Sequence, residues 1–220
     1  MSEARPGGAP SGRVPVGVLI SGRGTNLTVL LEACARADYP ARVEVVLSNE
    51  PGAAGLERAR NAGVQARVVN HRDYSSRSEH EQALVEVLWE HGVEWVCLAG
   101  YMRVLRGPLL EAFRGRILNI HPALLPAFPG THAQRQAVQY GVRMSGCTVH
   151  FVDAGIDTGP IILQAPVPVH PDDTEETLAE RILREEHRLY PEGLRLAVSG
   201  RLKVEGRTVR VLPEREGSGG

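Results

Sequence analysis

Cysteine is scarce in this chain, and so are aromatic side chains, any surplus of one charge, and long apolar runs. The three cysteines, Cys34, Cys97 and Cys147, are scattered and odd in number. Secreted disulfide frameworks are usually even and dense, so these thiols read as small core hydrophobes in a reducing cytoplasm. Neither Cys-x-x-Cys nor His-Glu-x-x-His occurs, and no metal is expected. No apolar run approaches the roughly 20 residues of a membrane span. A net charge of −1 gives no general attraction for nucleic acid or anionic lipid. With 42% hydrophobic and 23% charged residues the composition is that of a globular protein, and 220 residues suit one large domain. Residues 1–13, rich in Gly and Pro and without an apolar stretch, are expected to form a loose arm rather than a secretory signal, and 214–220 a loose tail. Without secretion, the glycosylation match Asn26-Leu27-Thr28 is accidental.

What is present alternates. Val14 to Ile20 reads as a buried strand ending in the turn Ser21-Gly22-Arg23-Gly24, and Asn26 to Ala37 as a helix with Leu27, Leu30, Leu31 and Cys34 on one face. Strands follow at 43–47, 66–69, 95–99 and 117–120, with helices at 54–62, 78–91 and 108–113 between them. In the 78–91 helix, Leu84, Val87, Leu88 and His91 share a face. Such alternation predicts an α/β fold: an open, mostly parallel Rossmann-like sheet flanked by helices. The remainder changes character. Strands at 147–152 and 160–167 precede a long helix from Thr174 to Ser199, with Asp173 and Glu176 as a capping box, and a closing hairpin turned at Gly206. A functional cleft belongs at the carboxyl ends of the parallel strands.

Two local patterns carry chemistry. Ser21-Gly22-Arg23-Gly24-Thr25-Asn26-Leu27 joins a strand to a helix N-terminus, where free N–H groups and the helix dipole favour a phosphate. Leu27 replaces the third glycine of a dinucleotide fingerprint, so a monophosphate suits it better; a sharp turn with no ligand fits as well. Asn119-Ile120-His121-Pro122 ends a strand, and residues two apart point to one face, so the amide and imidazole can address one atom. The loop Asp153-Ala154-Gly155-Ile156-Asp157-Thr158-Gly159-Pro160 offers a carboxylate that could orient and charge His121. Taken alone, Asn-x-His also fits a structural histidine. His150 suits either support for this group or the core, and His71, His80, His91 and His170 read as surface or helix-face residues.

Five segments in order make the pattern specific: Leu19-Ile20-Ser21-Gly22-x-Gly24-Thr25-Asn26-Leu27, Leu98 to Leu105, Asn119 to Pro126, Asp157-Thr158-Gly159-Pro160, and Glu186-His187-x-x-Tyr190-Pro191. The chain resembles the phosphoribosylglycinamide formyltransferases, folate-dependent enzymes of purine biosynthesis, from about Val16 to Lys203. The resemblance implies 10-formyltetrahydrofolate as formyl donor and glycinamide ribonucleotide as acceptor. It implies a catalytic trio of Asn119, His121 and Asp157, a ribonucleotide site at Gly24, Thr25, Asn26 and Glu186, and a folate site at Arg77, Met102, Arg103, Val104, Leu105 and Asn119. Residues 14–213 would form one domain, with a nucleotide-binding half at 14–120 and a folate and catalytic half at 121–213. A cytoplasmic monomer or homodimer, without nucleic-acid or membrane partners, is expected. Thr25 stands where serine is frequent, Arg23 at a variable position, and Thr158 where glycine is frequent, which bears on the flexibility of the Asp157 loop.

Three other readings share parts of the pattern. A formyltetrahydrofolate hydrolase would use water in place of the amine, and a methionyl-tRNA formyltransferase would be expected to bring a basic RNA-binding domain. A non-catalytic nucleotide-binding module would leave the trio without a role.

Overall fold

The computed structural model describes residues 12–214. Its centre is a seven-stranded sheet in the order β3-β2-β1-β4-β5-β6-β7. These are β1 (Val14–Ile20), β2 (Ala41–Ser48), β3 (Gln65–Val68), β4 (Trp95–Leu98), β5 (Ile117–His121), β6 (Met144–Phe151) and β7 (Ile161–Pro168). The first five pair in parallel, whereas β6 runs antiparallel to both β5 and β7. Helices α1 (Thr25–Ala35), α2 (Gly55–Asn61), α3 (Arg77–Glu90), α4 (Pro108–Ala112), α5 (Ala133–Tyr140) and α6 (Glu175–Val198) surround it, and β8 (Leu202–Glu205) and β9 (Thr208–Val211) form the hairpin. The α/β class, the mainly parallel sheet and the closing hairpin are therefore as the sequence predicts.

Strand alternation divides the core between the two faces of the sheet. Val16, Val18, Ile20, Cys97, Leu118, Ile120, Cys147 and Val149 pack with α1, α2 and α6. Leu19, Val45, Leu47, Val96, Leu98 and Ile117 pack with α3 and α4. The three cysteines are buried and free. Tyr190 of α6 is fully buried and its hydroxyl lies 2.9 Å from the Leu98 carbonyl and 3.1 Å from that of Leu118, joining the helix to the ends of β4 and β5. Gly24 has φ +73, and a Cβ there would sit 2.8 Å from the Gly55 Cα. The glycine turn is thus also required by the close approach of α1 to α2.

Several expectations need correction. Helix α5 is missing from the sequence reading because its core-facing side is only Ala133, Ala137 and the half-buried Val138 in a short polar stretch, an apolar face too small to stand out. The capping box of α6 is Thr174 with Thr177, not Asp173 with Glu176. Asp173 instead forms an ion pair with Arg181 at 2.7 Å, and that guanidinium holds its carboxyl far below the usual range. The buried face of α3 is His80, Glu81, Leu84, Val85 and Leu88, rotated from the one expected. His80 is wholly buried, donates from Nε2 to the Val69 carbonyl at 2.9 Å, and is pushed by burial toward its neutral form. The expected arm and tail lie outside the described residues except at their inner ends. Arg13 is not loose: its guanidinium bonds the carbonyls of Cys34, Tyr39 and Ala41.

Tyr190→Phe leaves two buried strand carbonyls without their shared donor. It is expected to lower unfolding free energy by about 1–3 kcal/mol, read as an earlier urea midpoint at unchanged slope.

Candidate active site

The change from parallel to antiparallel pairing at β5 builds the site. In that register Asn119 faces His150 and His121 faces Thr148. Leu118 and Ile120, like Cys147, Val149 and Phe151, pack into the α1/α6 core, so alternation puts all four polar residues on the opposite face. Helix α4 is too short to cover that face to its end. A cavity of about 490 Å³ remains, lined by Met102 to Leu105, Asn119, His121, Gly130, His150 and Gly155 to Thr158.

Asp157 joins these groups. Its Oδ2 accepts the Gly130 N–H at 2.8 Å and lies 3.3 Å from His121 Nδ1. Its Oδ1 lies 3.5 Å from Asn119 Nδ2 and 3.6 Å from His150 Nε2. His121 Nε2–H donates to the Phe128 carbonyl at 2.8 Å, which leaves Nδ1 as the nitrogen that works with the carboxylate. The His121 side chain is 5% exposed and that of Asp157 14%, so water screens the pair weakly. His150 donates from Nδ1 to the Phe151 carbonyl at 2.8 Å, and burial lowers its pKa, keeping it neutral. Its Nε2 lone pair then accepts from Asn119 Nδ2 at 3.1 Å and fixes the orientation of that amide. In the ligand-free chain both Asn119 N–H groups therefore face protein acceptors, and a substrate oxygen must displace the longer contact, that to Asp157.

The loops that hold these side chains are pinned from below. Thr148 Oγ1 donates to the Ala123 carbonyl at 2.7 Å and accepts the Leu125 N–H, fastening the Pro122–Pro129 segment to β6. Ser21 Oγ donates to Asn49 Oδ1 at 2.6 Å and accepts the Met102 N–H at 2.8 Å, tying the ends of β1, β2 and the 100–105 loop together.

The expected ligand residues fall into separate places. Met102, Arg103, Val104, Leu105 and Asn119 do line the cavity. Arg77 does not; its guanidinium donates to the Val104 carbonyl at 2.9 Å and braces that wall from outside. Gly24, Thr25, Asn26 and Glu186 lie outside the cavity too, where α1 meets α6. There Asn26 Nδ2 donates to Glu186 Oε2 at 2.8 Å, while Asn26 Oδ1 is buried without a partner. No side chain caps the N-terminus of α1, so its first N–H groups are available to an anion. The end of β5, with Asn119 and His121, belongs to the cavity, while Gly24, Thr25 and Asn26 follow β1 at the same carboxyl edge of the sheet.

Sequence reasoning overlooked Glu81. It is 1% exposed, and its carboxylate accepts the N–H groups of Arg106 and Gly107 at 3.0 Å each, holding the cavity's 102–107 wall against α3. Its signal was present: it stands one turn before Leu84, in register with the buried stripe.

A doubly wound α/β sheet with its cleft beyond the carboxyl strand ends, and a buried carboxylate–imidazole pair beside a carboxamide, defines the class: a small-ligand enzyme fold equipped for proton transfer. Residues 15–194 match the formyl transferase family, and the chain belongs to it. It is 41% identical to the phosphoribosylglycinamide formyltransferase of Escherichia coli K12 over 187 residues, covering 85% of this chain and 88% of that protein. Among solved structures, glycinamide ribonucleotide transformylase 1 from Symbiobacterium toebii superposes with a TM-score of 0.91 at 58% identity, over 93% of this chain and 96% of that one. The chain is also 47% identical over 192 residues to the trifunctional purine biosynthetic protein adenosine-3 of Gallus gallus, of whose length it spans 19%.

Glu186 is almost fully buried, and desolvation raises its pKa above 4.5 against a smaller opposing effect from Asn26. The folded chain thus retains a proton that the unfolded chain releases. Stability of the ligand-free protein is expected to fall as pH rises from 4.5 through the folded pKa of Glu186. Glu186→Gln, which cannot ionise, is expected to remove that part of the decline, measured as urea midpoints from about pH 4 to 8. An unchanged pH profile would refute the assignment.

Proposed function

We propose that this chain transfers the formyl group of 10-formyltetrahydrofolate to the primary amine of glycinamide ribonucleotide, giving formylglycinamide ribonucleotide and tetrahydrofolate. The observation that carries this reading is the meeting of Asn119, His121 and Asp157 at the end of β5, in a deep cleft and at the same sheet edge as an uncapped helix N-terminus. The ribonucleotide phosphate lies at Gly24, Thr25 and Asn26, with Glu186 accepting a hydroxyl of the sugar. The folate lies along Met102 to Leu105, with the Arg77-braced wall beside it.

The neutral amine attacks the formyl carbon. A new C–N bond forms, and the carbonyl oxygen becomes an oxyanion. Asn119 Nδ2–H turns from Asp157 to that oxygen, and His121, whose Nδ1 faces Asp157, stands beside it as the proton-handling group. Collapse breaks the bond to the folate nitrogen, which takes up a proton, while the amine nitrogen gives up its own through the His121–Asp157 pair. Among the described residues no serine or cysteine is paired with the trio, which favours direct transfer in a ternary complex. The 14–120 and 121–213 segments act as acceptor and donor halves of one domain, in a cytoplasmic monomer or homodimer that binds neither nucleic acid nor membrane. Among the described residues, no helix is long and apolar enough to cross a membrane.

His121→Ala and Asp157→Asn are each expected to lower turnover about 100- to 1000-fold. The assay is the absorbance of deformylated folate with and without glycinamide ribonucleotide. Near-normal turnover in either variant overturns the trio, and turnover that ignores the acceptor favours the hydrolase.

A further inference from the structure

Asp157 occupies the left-handed region, with φ 53, which is uncommon outside glycine and which aspartate tolerates better than most side chains. The loop carrying it is rooted on one side: a Cβ at Gly159 would meet the Phe151 carbonyl oxygen at 1.7 Å, and Phe151 N donates to the Pro160 carbonyl at 3.0 Å. Beyond that root the loop is exposed at Ala154, Gly155, Ile156 and Thr158. Inside it, Thr158 Oγ1 donates to Asp153 Oδ1 at 2.6 Å, and the same oxygen accepts the Gly155 N–H at 3.0 Å. A Cβ at Gly155 would stand 1.9 Å from Thr158 Oγ1, so the loop is folded around that hydroxyl.

We infer that Thr158 is a positioning residue: its clasp on Asp153 pre-sets the loop so that Asp157 already points at His121 before the formyl donor arrives. This rests on the formyl-transfer reading above. The mechanical argument is local. Residues 157 and 158 share a peptide unit, so fixing the Thr158 side chain against Asp153 sets the direction from which the Asp157 carboxylate leaves the loop. Without the hydroxyl, the loop samples arrangements in which Gly130 N and His121 lose their acceptor. Only the competent fraction then binds donor well, and apparent affinity falls by that fraction. Because Gly155 to Thr158 line the cavity opposite Met102 to Leu105, the effect belongs to the donor and not to the amine acceptor held at Gly24 to Asn26.

The test is steady-state kinetics of Thr158→Val, Thr158→Ala and Thr158→Ser beside Asp157→Asn. Loss of one net hydrogen bond is expected to raise KM for 10-formyltetrahydrofolate about three- to ten-fold in the Val and Ala variants. Near wild-type kcat at saturation and an unchanged KM for glycinamide ribonucleotide should accompany it. The Ser variant should behave as wild type, and backbone amide exchange at 154–158 in the ligand-free Val variant should quicken. The alanine variant covers the case in which valine's second methyl crowds Gly155. Wild-type donor KM in both Val and Ala, or a Ser variant as impaired as they are, overturns the clasp while leaving the transfer reading intact. Normal turnover in Asp157→Asn instead overturns the transfer reading, and the clasp with it.

Discussion

The carboxylate of Asp157 is the point to which the reacting end of the sheet is tied. One oxygen takes a backbone N–H from the 122–132 loop and faces His121, and the other faces Asn119 and His150. Two stretches of chain, 119–130 and 150–157, are thereby drawn to one small volume. A carboxylate among so many donors is stabilised by direct polar contacts in place of water. The same contacts give His121 a counter-charge and limit where the Asn119 amide can turn. Without this group the imidazole would lose its partner and the Gly130 N–H its acceptor.

That convergence depends on the antiparallel turn of the sheet after β5. A further parallel strand would need a crossover helix over the face that the cavity occupies. With β6 antiparallel, His150 and Thr148 stand directly opposite Asn119 and His121, and the face stays open. Thr148 anchors the proline-rich loop, and His150, neutral through burial, aligns the amide. On the other side of the carboxyl edge, α1 and α6 bring Asn26 to Glu186 across 160 positions of sequence.

Much of this was legible in advance. Strands β1, β2, β4 and β5 and their helices announce themselves through apolar runs and glycine stops, because a parallel strand buried on both faces leaves a largely continuous apolar signature; β3, an exposed edge strand, was placed by the alternation around it. Helix α5 left little, since two alanines and a half-buried valine suffice to pack it. His80 was misplaced because a histidine on a helix reads as polar until its neighbours are known, and here the Val69 carbonyl satisfies it inside the core. Arg77 was expected at the folate site, and the structure sets its guanidinium on the Val104 carbonyl, beside that wall and not among the cavity-lining residues.

The amino-acid order by itself determined the fold class, the ordering of the elements and the kinds of group available for chemistry, since periodicity and turn chemistry are local properties. Only the tertiary structure decided which hydrogen bond each group makes. The tautomer of His150, the brace of Glu81 and the contact of Thr158 with Asp153 depend on a strand pairing, a helix packed on a loop, and the fold of one loop upon itself. No residue spacing along the chain encodes these arrangements directly.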